Sequence, residues 1–211
     1  MKWDEIYARG EEINKFPFTE LVSWFYRNRL LDAKNALDVG CGSGVHSLFL
    51  SSHSINVDAF DASNEAISLA NKVNASKYIR YFNYKISDWV FEAKHKYDLV
   101  VDRCGSTHAR REEFESFYKK LGDNLAVGTK VYLECFHPNC MILNNLRMTD
   151  LNLHPIFSKY DNTLFFDENY LRELMRPIGL KIDRLRLITD SEKQSGFNHA
   201  YWIVEMTKGS K

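Results

Sequence analysis

The sequence has no excess of either charge and no long apolar run. Its 28 basic and 28 acidic side chains cancel to a formal net charge of zero. Composition therefore indicates no basic face, which argues against a dedicated nucleic-acid-binding protein. No stretch approaches the ~20 consecutive apolar residues that a membrane span requires, so no membrane segment is predicted. Residues 1–5 show no secretory signal pattern, and we expect a cytoplasmic protein.

Cysteine is scarce as well. The four cysteines include no Cys-x-x-Cys pair and no His-rich metal spacing. We therefore expect reduced thiols, as is usual in the cytoplasm, and we predict no metal site. What the chain does contain is 211 residues with 45% hydrophobic side chains. That is enough for one domain with a substantial core.

A glycine-rich stretch, residues 36–46, organises the rest of the chain. An apolar run leads to Asp38, and three glycines then follow at alternate positions: Gly40, Gly42 and Gly44. The NAD fingerprint needs its third glycine where Val45 stands, and the Gly-Lys-Ser/Thr ending of a P-loop is missing. The stretch predicts a strand, a tight turn and a helix start. An acid before the turn suits a ligand with a cationic end.

The Asp-x-Gly-x-Gly-x-Gly stretch resembles motif I of the class I S-adenosylmethionine-dependent methyltransferases. In that family the glycine turn passes against the amino-acid half and the ribose of the cofactor, S-adenosyl-L-methionine. An acidic residue about 20 positions after such a turn commonly binds the ribose hydroxyls, and the resemblance gives this role to Asp61. Asp58 competes for it, although we expect Asp58 to face solvent.

The resemblance implies further cofactor contacts at the ends of later strands and in an N-terminal lid. After strand three, Asp88 matches the residue that meets the adenine amino group and Trp89 the residue that covers the ring. Asp88 as a helix N-cap is the alternative. Tyr7 is a candidate lid aromatic. The complete predicted cofactor set is Asp38, Gly40, Cys41, Gly42, Gly44, Asp61, Ala62, Asp88, Trp89, Asp102 and Tyr7.

The loop after strand four resembles the family's active-site loop and holds the richest polar set in the chain. Methyl transfer is an in-line displacement, so a hydroxyl acceptor also needs a general base. The candidates are His108 and His137, with Asp102 to orient either one, and His199 as a third choice. The remaining histidines are taken as structural or surface residues: His46, His53, His95 and His154.

Strand and helix patterns alternate along the chain, which indicates an α/β fold. The resemblance implies a Rossmann-like, mostly parallel sheet of seven strands with helices on both faces and an antiparallel last strand. A helical extension, residues 1–33, precedes the catalytic core of residues 34–211, and the whole chain forms a single methyltransferase domain. The irregular segment 141–166 is the expected site of acceptor specificity.

Three functions remain open. The first is methyl transfer to a small-molecule acceptor, through an oxygen, nitrogen or sulfur atom. The second is methyl transfer to a macromolecule such as tRNA or a protein, which a basic groove around Arg103, Arg110, Arg111 and Arg147 would favour. The third is a non-catalytic subunit that binds S-adenosylmethionine. The sequence leaves the oligomeric state open.

Overall fold

A computed structural model describes residues 2–92, 96–140, 160, 162–192 and 197–210. In these residues the helices and strands alternate as the sequence predicts. The helices are α1 (Lys2–Ala8), α2 (Thr19–Arg27), α3 (Val45–Ser51), α4 (Asn64–Val73), α5 (Arg111–Asn124) and α6 (Glu168–Met175). The strands are β1 (Asn35–Val39), β2 (Asn56–Asp61), β3 (Ile79–Asn83), β4 (Leu99–Arg103), β5 (Lys130–Phe136), β6 (Leu180–Glu192) and β7 (Phe197–Lys208).

The seven strands form one sheet in the order β3-β2-β1-β4-β5-β7-β6. The strands from β3 to β5 pair in parallel, and β7 runs antiparallel to both of its neighbours. The predicted mostly parallel sheet with an antiparallel last strand is confirmed. Strand β1 pairs with β2 on one side and with β4 on the other. The carboxyl ends of β1 and β4 therefore border the crevice where such sheets bind ligands.

Helices cover both faces of the sheet. Alternate side chains of a strand point to opposite faces, so Leu37 packs in the apolar cluster with α5 and α6, whereas Ala36 packs in the one with α2, α3 and α4. Both clusters consist of buried aromatic and aliphatic side chains. Strands that are covered on both faces are apolar on both, as expected of a parallel sheet.

Local chemistry sets the ends of several helices. The Ser63 hydroxyl accepts a hydrogen bond from the Ala66 N–H at 3.1 Å and caps α4, since such a side chain satisfies an otherwise free backbone donor. Helix α2 ends at Arg27, and Arg29 adopts a left-handed conformation (φ 54°) before a short 3-10 turn.

Two expectations concern segments that the structure describes only in part. The proposed specificity segment 141–166 is described at residue 160 and from 162 onward, and Arg147, His95 and His154 lie outside the described residues. Within the described ranges, no helix combines the length and apolarity needed to cross a membrane.

Candidate active site

The glycine turn after β1 uses backbone angles that favour glycine. Gly40, Gly42 and Gly44 have φ of 63°, 56° and 82°, in the left-handed region that other residues resist. Gly40 also approaches the loop after β4. A Cβ at Gly40 would lie 2.4 Å from the Gly105 Cα. The two backbones that border the crevice therefore touch, and neither residue has room for a side chain.

Gly42 and Gly44 serve different purposes. A Cβ at Gly42 would lie 2.6 Å from the Tyr7 hydroxyl, and the Gly42 N–H donates to Asp61 Oδ2 at 2.9 Å. A Cβ at Gly44 would instead meet the Tyr81 hydroxyl at 2.2 Å, behind the turn. Gly42 keeps the crevice open, whereas Gly44 allows α3 to pack against β3.

Asp61 stands at the end of β2 with both carboxylate oxygens engaged by the backbone. Oδ2 accepts from Gly42 and Oδ1 accepts from the Ser63 N–H at 2.8 Å. Burial raises the pKa of this carboxyl, while these backbone donors lower it. Each oxygen can accept a further hydrogen bond. A carboxylate fixed in this way can accept from two hydroxyl groups of a ligand.

A cavity of about 1010 Å3 lies over the carboxyl ends of the central strands. Many of the residues predicted from the sequence line it: Tyr7, Gly40, Cys41, Gly42, Asp61, Ala62, His108 and His199. Other predicted residues do not reach its wall: Asp38, Gly44, Asp88, Trp89, Asp102 and His137. The predicted site is thus brought together around the turn and Asp61, while the other predicted acids, Asp38, Asp88 and Asp102, lie off its wall.

Asp38 and Asp102 lie behind the wall and not on it, which corrects their predicted direct contacts. Asp38 accepts the Ser47 hydroxyl at 2.6 Å, and burial raises its pKa to about 7. Asp102 accepts the Tyr118 hydroxyl at 2.8 Å and the Ser106 N–H at 3.1 Å, and burial raises its pKa to about 6. Each acid fixes an element that borders the cavity.

The predicted adenine contacts are also displaced. Trp89 is buried in the core and stacks on Phe60, with ring centroids 4.6 Å apart. Asp88 accepts the Ser87 hydroxyl at 2.9 Å, and residues 89–92 are not helical, so it caps no helix there. In their place the residues that follow β3 line the cavity: Tyr84, Lys85 and Ile86. Phe60 itself lines the cavity, so Trp89 supports a wall residue from behind.

Asp58, the competitor of Asp61, does not line the cavity. Contrary to expectation it is buried. It accepts from Arg80 Nε at 2.7 Å and from the Tyr97 hydroxyl at 2.8 Å, and it pairs with Lys96. These partners lower its pKa against the raising effect of burial. Asp58 holds the edge of the sheet together.

Known proteins share this architecture. Residues 36–128 match a family model described as a methyltransferase domain. A cypemycin N-terminal methyltransferase of a Streptomyces species is 27% identical over 124 residues, which are 58% of this chain and 50% of that protein. The match thus spans half the length of that relative.

Solved structures agree in fold. A S-adenosylmethionine-dependent methyltransferase of Methanosarcina mazei superposes with a TM-score of 0.71 at 20% identity, covering 93% of this chain and 100% of that one. The 1,6-didemethyltoxoflavin-N1-methyltransferase of Burkholderia thailandensis, solved with its acceptor and S-adenosylhomocysteine, gives 0.69 at 16% identity, covering 98% and 85%. Residues 36–128 thus carry a methyltransferase domain, and the chain has the fold of S-adenosylmethionine-dependent methyltransferases, which supports the predicted family, enzyme class and cofactor.

The residues of this methyltransferase fit its cofactor. The turn leaves no room for side chains at Gly40 and Gly42, so a ligand can contact the backbone directly. Asp61 offers acceptor oxygens on the same wall, and Tyr7 closes over the turn. Within the described part of the chain, no group of three or more His, Cys, Asp or Glu side chains is arranged to hold a metal ion.

Helix α1 of the methyltransferase covers the cavity next to the turn. The Trp3 ring stacks on Tyr160 at 4.9 Å and meets the His108 ring edge-on at 4.9 Å. Asp4 fastens α1 to the start of α4, since its Oδ1 accepts the Ser63 hydroxyl at 2.8 Å. Phe16, in the loop between α1 and α2, is 79% exposed and does not line the cavity.

A second part of the cavity wall is formed by residues from distant parts of the chain, and we call it the acceptor end. It comprises Phe18, His46, Arg103, Glu134, His199 and Tyr201. The Arg103 guanidinium lies 3.5 Å from the centre of the Phe18 ring, and its Nε is 3.1 Å from Glu134 Oε2. Burial raises the pKa of Glu134 and Arg103 lowers it. The sequence indicated Arg103 as part of a polar loop but gave no role to His46 or Glu134.

The two predicted bases lie in different environments. His108 lines the cavity, and its Nδ1 is 3.0 Å from the Asn162 carbonyl oxygen. A neutral ring then carries its hydrogen on Nδ1 and its lone pair on Nε2. His137 lies outside the wall, where its Nδ1 accepts from the Asn139 N–H at 2.9 Å. Burial raises the pKa of the Cys104 thiol to about 12, which removes it as a thiolate nucleophile.

Proposed function

We propose that this protein transfers the methyl group of S-adenosylmethionine to a small-molecule acceptor, with residues 1–211 acting as one domain and residues 1–33 as its lid. The observation that carries the proposal is the cavity of about 1010 Å3. Small-ligand pockets usually measure ~300–1,000 Å3, so this volume has room for a cofactor and a second small molecule. Its two ends also differ in chemistry.

The end at the glycine turn suits the cofactor. Asp61 is proposed to accept the two ribose hydroxyls, Gly40 to Gly42 to contact the amino-acid half, and Tyr7 to cover it. The adenine would lie among the residues after β3, near Ile86. Asp38 and Asp102 then act indirectly, by fixing α3 and the loop after β4 through their hydrogen bonds.

The main contribution of the chain is position. When bound, S-adenosylmethionine supplies an activated methyl group on its sulfonium. A good near-attack geometry can lower the barrier by ~7–11 kcal/mol, and the rings of Trp3, His108 and Tyr160 contact one another on the cavity wall. His108 is the proposed base. Its Nε2 can take a proton from a hydroxyl or ammonium acceptor, because Nδ1 is engaged by a carbonyl.

Transfer to a macromolecule is less well supported. Of the arginines in the basic groove expected for it, Arg103 lines the cavity and pairs with Glu134. Arg110 pairs with Glu113 at 2.9 Å. The name of the cypemycin methyltransferase indicates a peptide amine for that protein, so a short peptide end is the macromolecular acceptor that this cavity would best accommodate.

Mass spectrometry tests the proposal. The protein is incubated with S-adenosylmethionine and a pool of low-molecular-weight metabolites, and products are searched for the mass gain of one methyl group. We expect a methylated metabolite with wild type and its loss with Asp61→Asn. Methyl groups found in added protein or RNA would favour the macromolecular function. Tight binding of S-adenosylhomocysteine in calorimetry with no transfer to any pool would indicate a non-catalytic subunit.

A further inference from the structure

His46 is a buried polar side chain that the fold does not use. It lies in the first turn of α3, directly after the glycine turn, and is 6% exposed. It lines the cavity at the acceptor end. Its Nε2 has no hydrogen-bond partner among the described residues. Buried polar atoms are rarely left in this state, because an unsatisfied one costs about 1–3 kcal/mol.

The charge state of His46 is set by its surroundings. Burial, and secondarily the positive charge of Arg103, lower its pKa to about 3. The imidazole is therefore uncharged at neutral pH and has one donor and one acceptor nitrogen. It suits a hydroxyl or an amine, which can both donate and accept a hydrogen bond, better than a carboxylate.

The residues beside His46 are either apolar or already paired, so His46 is the group there that can bind a hydroxyl or an amine. The Phe18 ring lies beside it, with centroids 5.7 Å apart, and supplies apolar surface. Arg103 stacks on Phe18 and pairs with Glu134, so the two charges of this wall face each other. His46 is the uncharged polar group next to them.

We propose that His46 binds the methyl acceptor by a hydrogen bond to an uncharged hydroxyl or amine group, with the apolar body of the acceptor against Phe18. This assignment rests on the proposed methyl transfer to a small molecule. It makes His46 a residue that selects acceptors, distinct from the proposed base His108.

Nuclear magnetic resonance tests the assignment on the intact protein saturated with S-adenosylhomocysteine. The probe is phenol, which carries a hydroxyl on an apolar ring. Anisole, with the same ring and oxygen but no hydroxyl hydrogen, is the matched control. In 15N-histidine-labelled protein the ring signals of His46 are identified by their absence from His46→Gln. We expect phenol to shift these signals saturably and anisole to shift them several-fold less.

Two variants measure the strength of the contact. His46→Phe keeps a ring and loses both nitrogens, so the Kd for phenol should rise about 2- to 12-fold, the range for one hydrogen bond. His46→Gln should recover part of that loss. The Kd for S-adenosylhomocysteine should change less than about twofold in both variants, whereas a general packing defect would weaken both ligands.

The outcomes separate the two proposals. If phenol leaves the His46 signals of wild type unchanged, or binds His46→Phe as tightly as wild type, the assignment of His46 is overturned and the cofactor site stands. If wild type fails to bind S-adenosylhomocysteine, the proposed function fails and the role of His46 falls with it. The spectrum of either His46→Gln or His46→Phe identifies the His46 signals, so the titration of wild type decides the question when only one of the two variants folds.

Discussion

Replacing Asp61 by Asn is the sharpest perturbation of the cofactor end. The Asp61 carboxylate is held by the N–H groups of Gly42 and Ser63 at 2.9 and 2.8 Å, so its remaining lone pairs face the cavity. Asn keeps one acceptor oxygen and turns the other into a donor. One bond to a ribose hydroxyl is then lost outright, and a hydrogen bond to a charged group is worth about 1.5–3 kcal/mol.

That loss corresponds to a Kd for S-adenosylhomocysteine raised about 10- to 150-fold. Titration calorimetry measures it, and a thermal melt without ligand corrects for the backbone donor that loses its acceptor. Asp88→Asn is the matched control, because Asp88 comes from the same set of predicted contacts but lies off the cavity wall. Its Kd should stay within about twofold of wild type. Equal losses in the two variants, or no loss in Asp61→Asn, would refute the ribose assignment.

Three further predictions address the turn and the lid. The pKa of Asp38 is about 7 in the folded protein but 3.8 in the unfolded chain. The unfolding free energy of wild type should therefore fall by about 2 kcal/mol between pH 5.5 and 8.5, as Asp38 loses its proton. In urea denaturation, Asp38→Asn should show a flatter dependence of stability on pH. In the same assay, Gly44→Ala should lose more stability than Gly128→Ala. A Cβ at Gly44 would lie 2.2 Å from the Tyr81 hydroxyl, whereas a Cβ at Gly128 would meet nothing within 4 Å. Gly128→Ala should therefore lose only the about 1–2 kcal/mol expected for its left-handed backbone. Trp3→Ala should weaken S-adenosylhomocysteine binding about 2- to 12-fold through the lost ring contacts, while Phe16→Ala, at an exposed site, should leave it unchanged; equal effects would argue against a lid.

The features that sequence predicts well are those written in local spacing. Alternate glycines after an apolar run predict the turn, and Asp61 follows at the distance that one strand, one helix and a return strand require. The same local logic gives the order and type of the elements. The sequence alone therefore predicts the sheet, the turn and the placement of Asp61 at the crevice.

The direction in which a buried side chain points cannot be predicted from local spacing. Both faces of β1 and β4 are apolar, so the pattern cannot tell whether Asp38 or Asp102 points to a helix or to the crevice. Asp38 points to Ser47 of α3, and Asp102 points to Tyr118 of α5. Residue spacing placed both at strand ends correctly and gave no information on which way they turn.

The acceptor end was the least predictable part. His46 stands in an apolar helix and resembles an ordinary core histidine in sequence. His199 and Tyr201 reach the cavity only because β7 pairs with β5 across 60 or more positions of chain. Pairing between such distant strands has no signature in the local sequence, so this part of the site can be located only in the three-dimensional structure.

Ser63 joins two events that look separate. Its N–H holds the Asp61 carboxylate, and its hydroxyl holds the Asp4 carboxylate of helix α1. By thermodynamic linkage, whatever free energy ligand binding adds to the docking of α1 is returned by that docking as affinity for the ligand. Hydrogen exchange of the α1 amides would therefore report on occupancy of a pocket that Asp4 itself never touches.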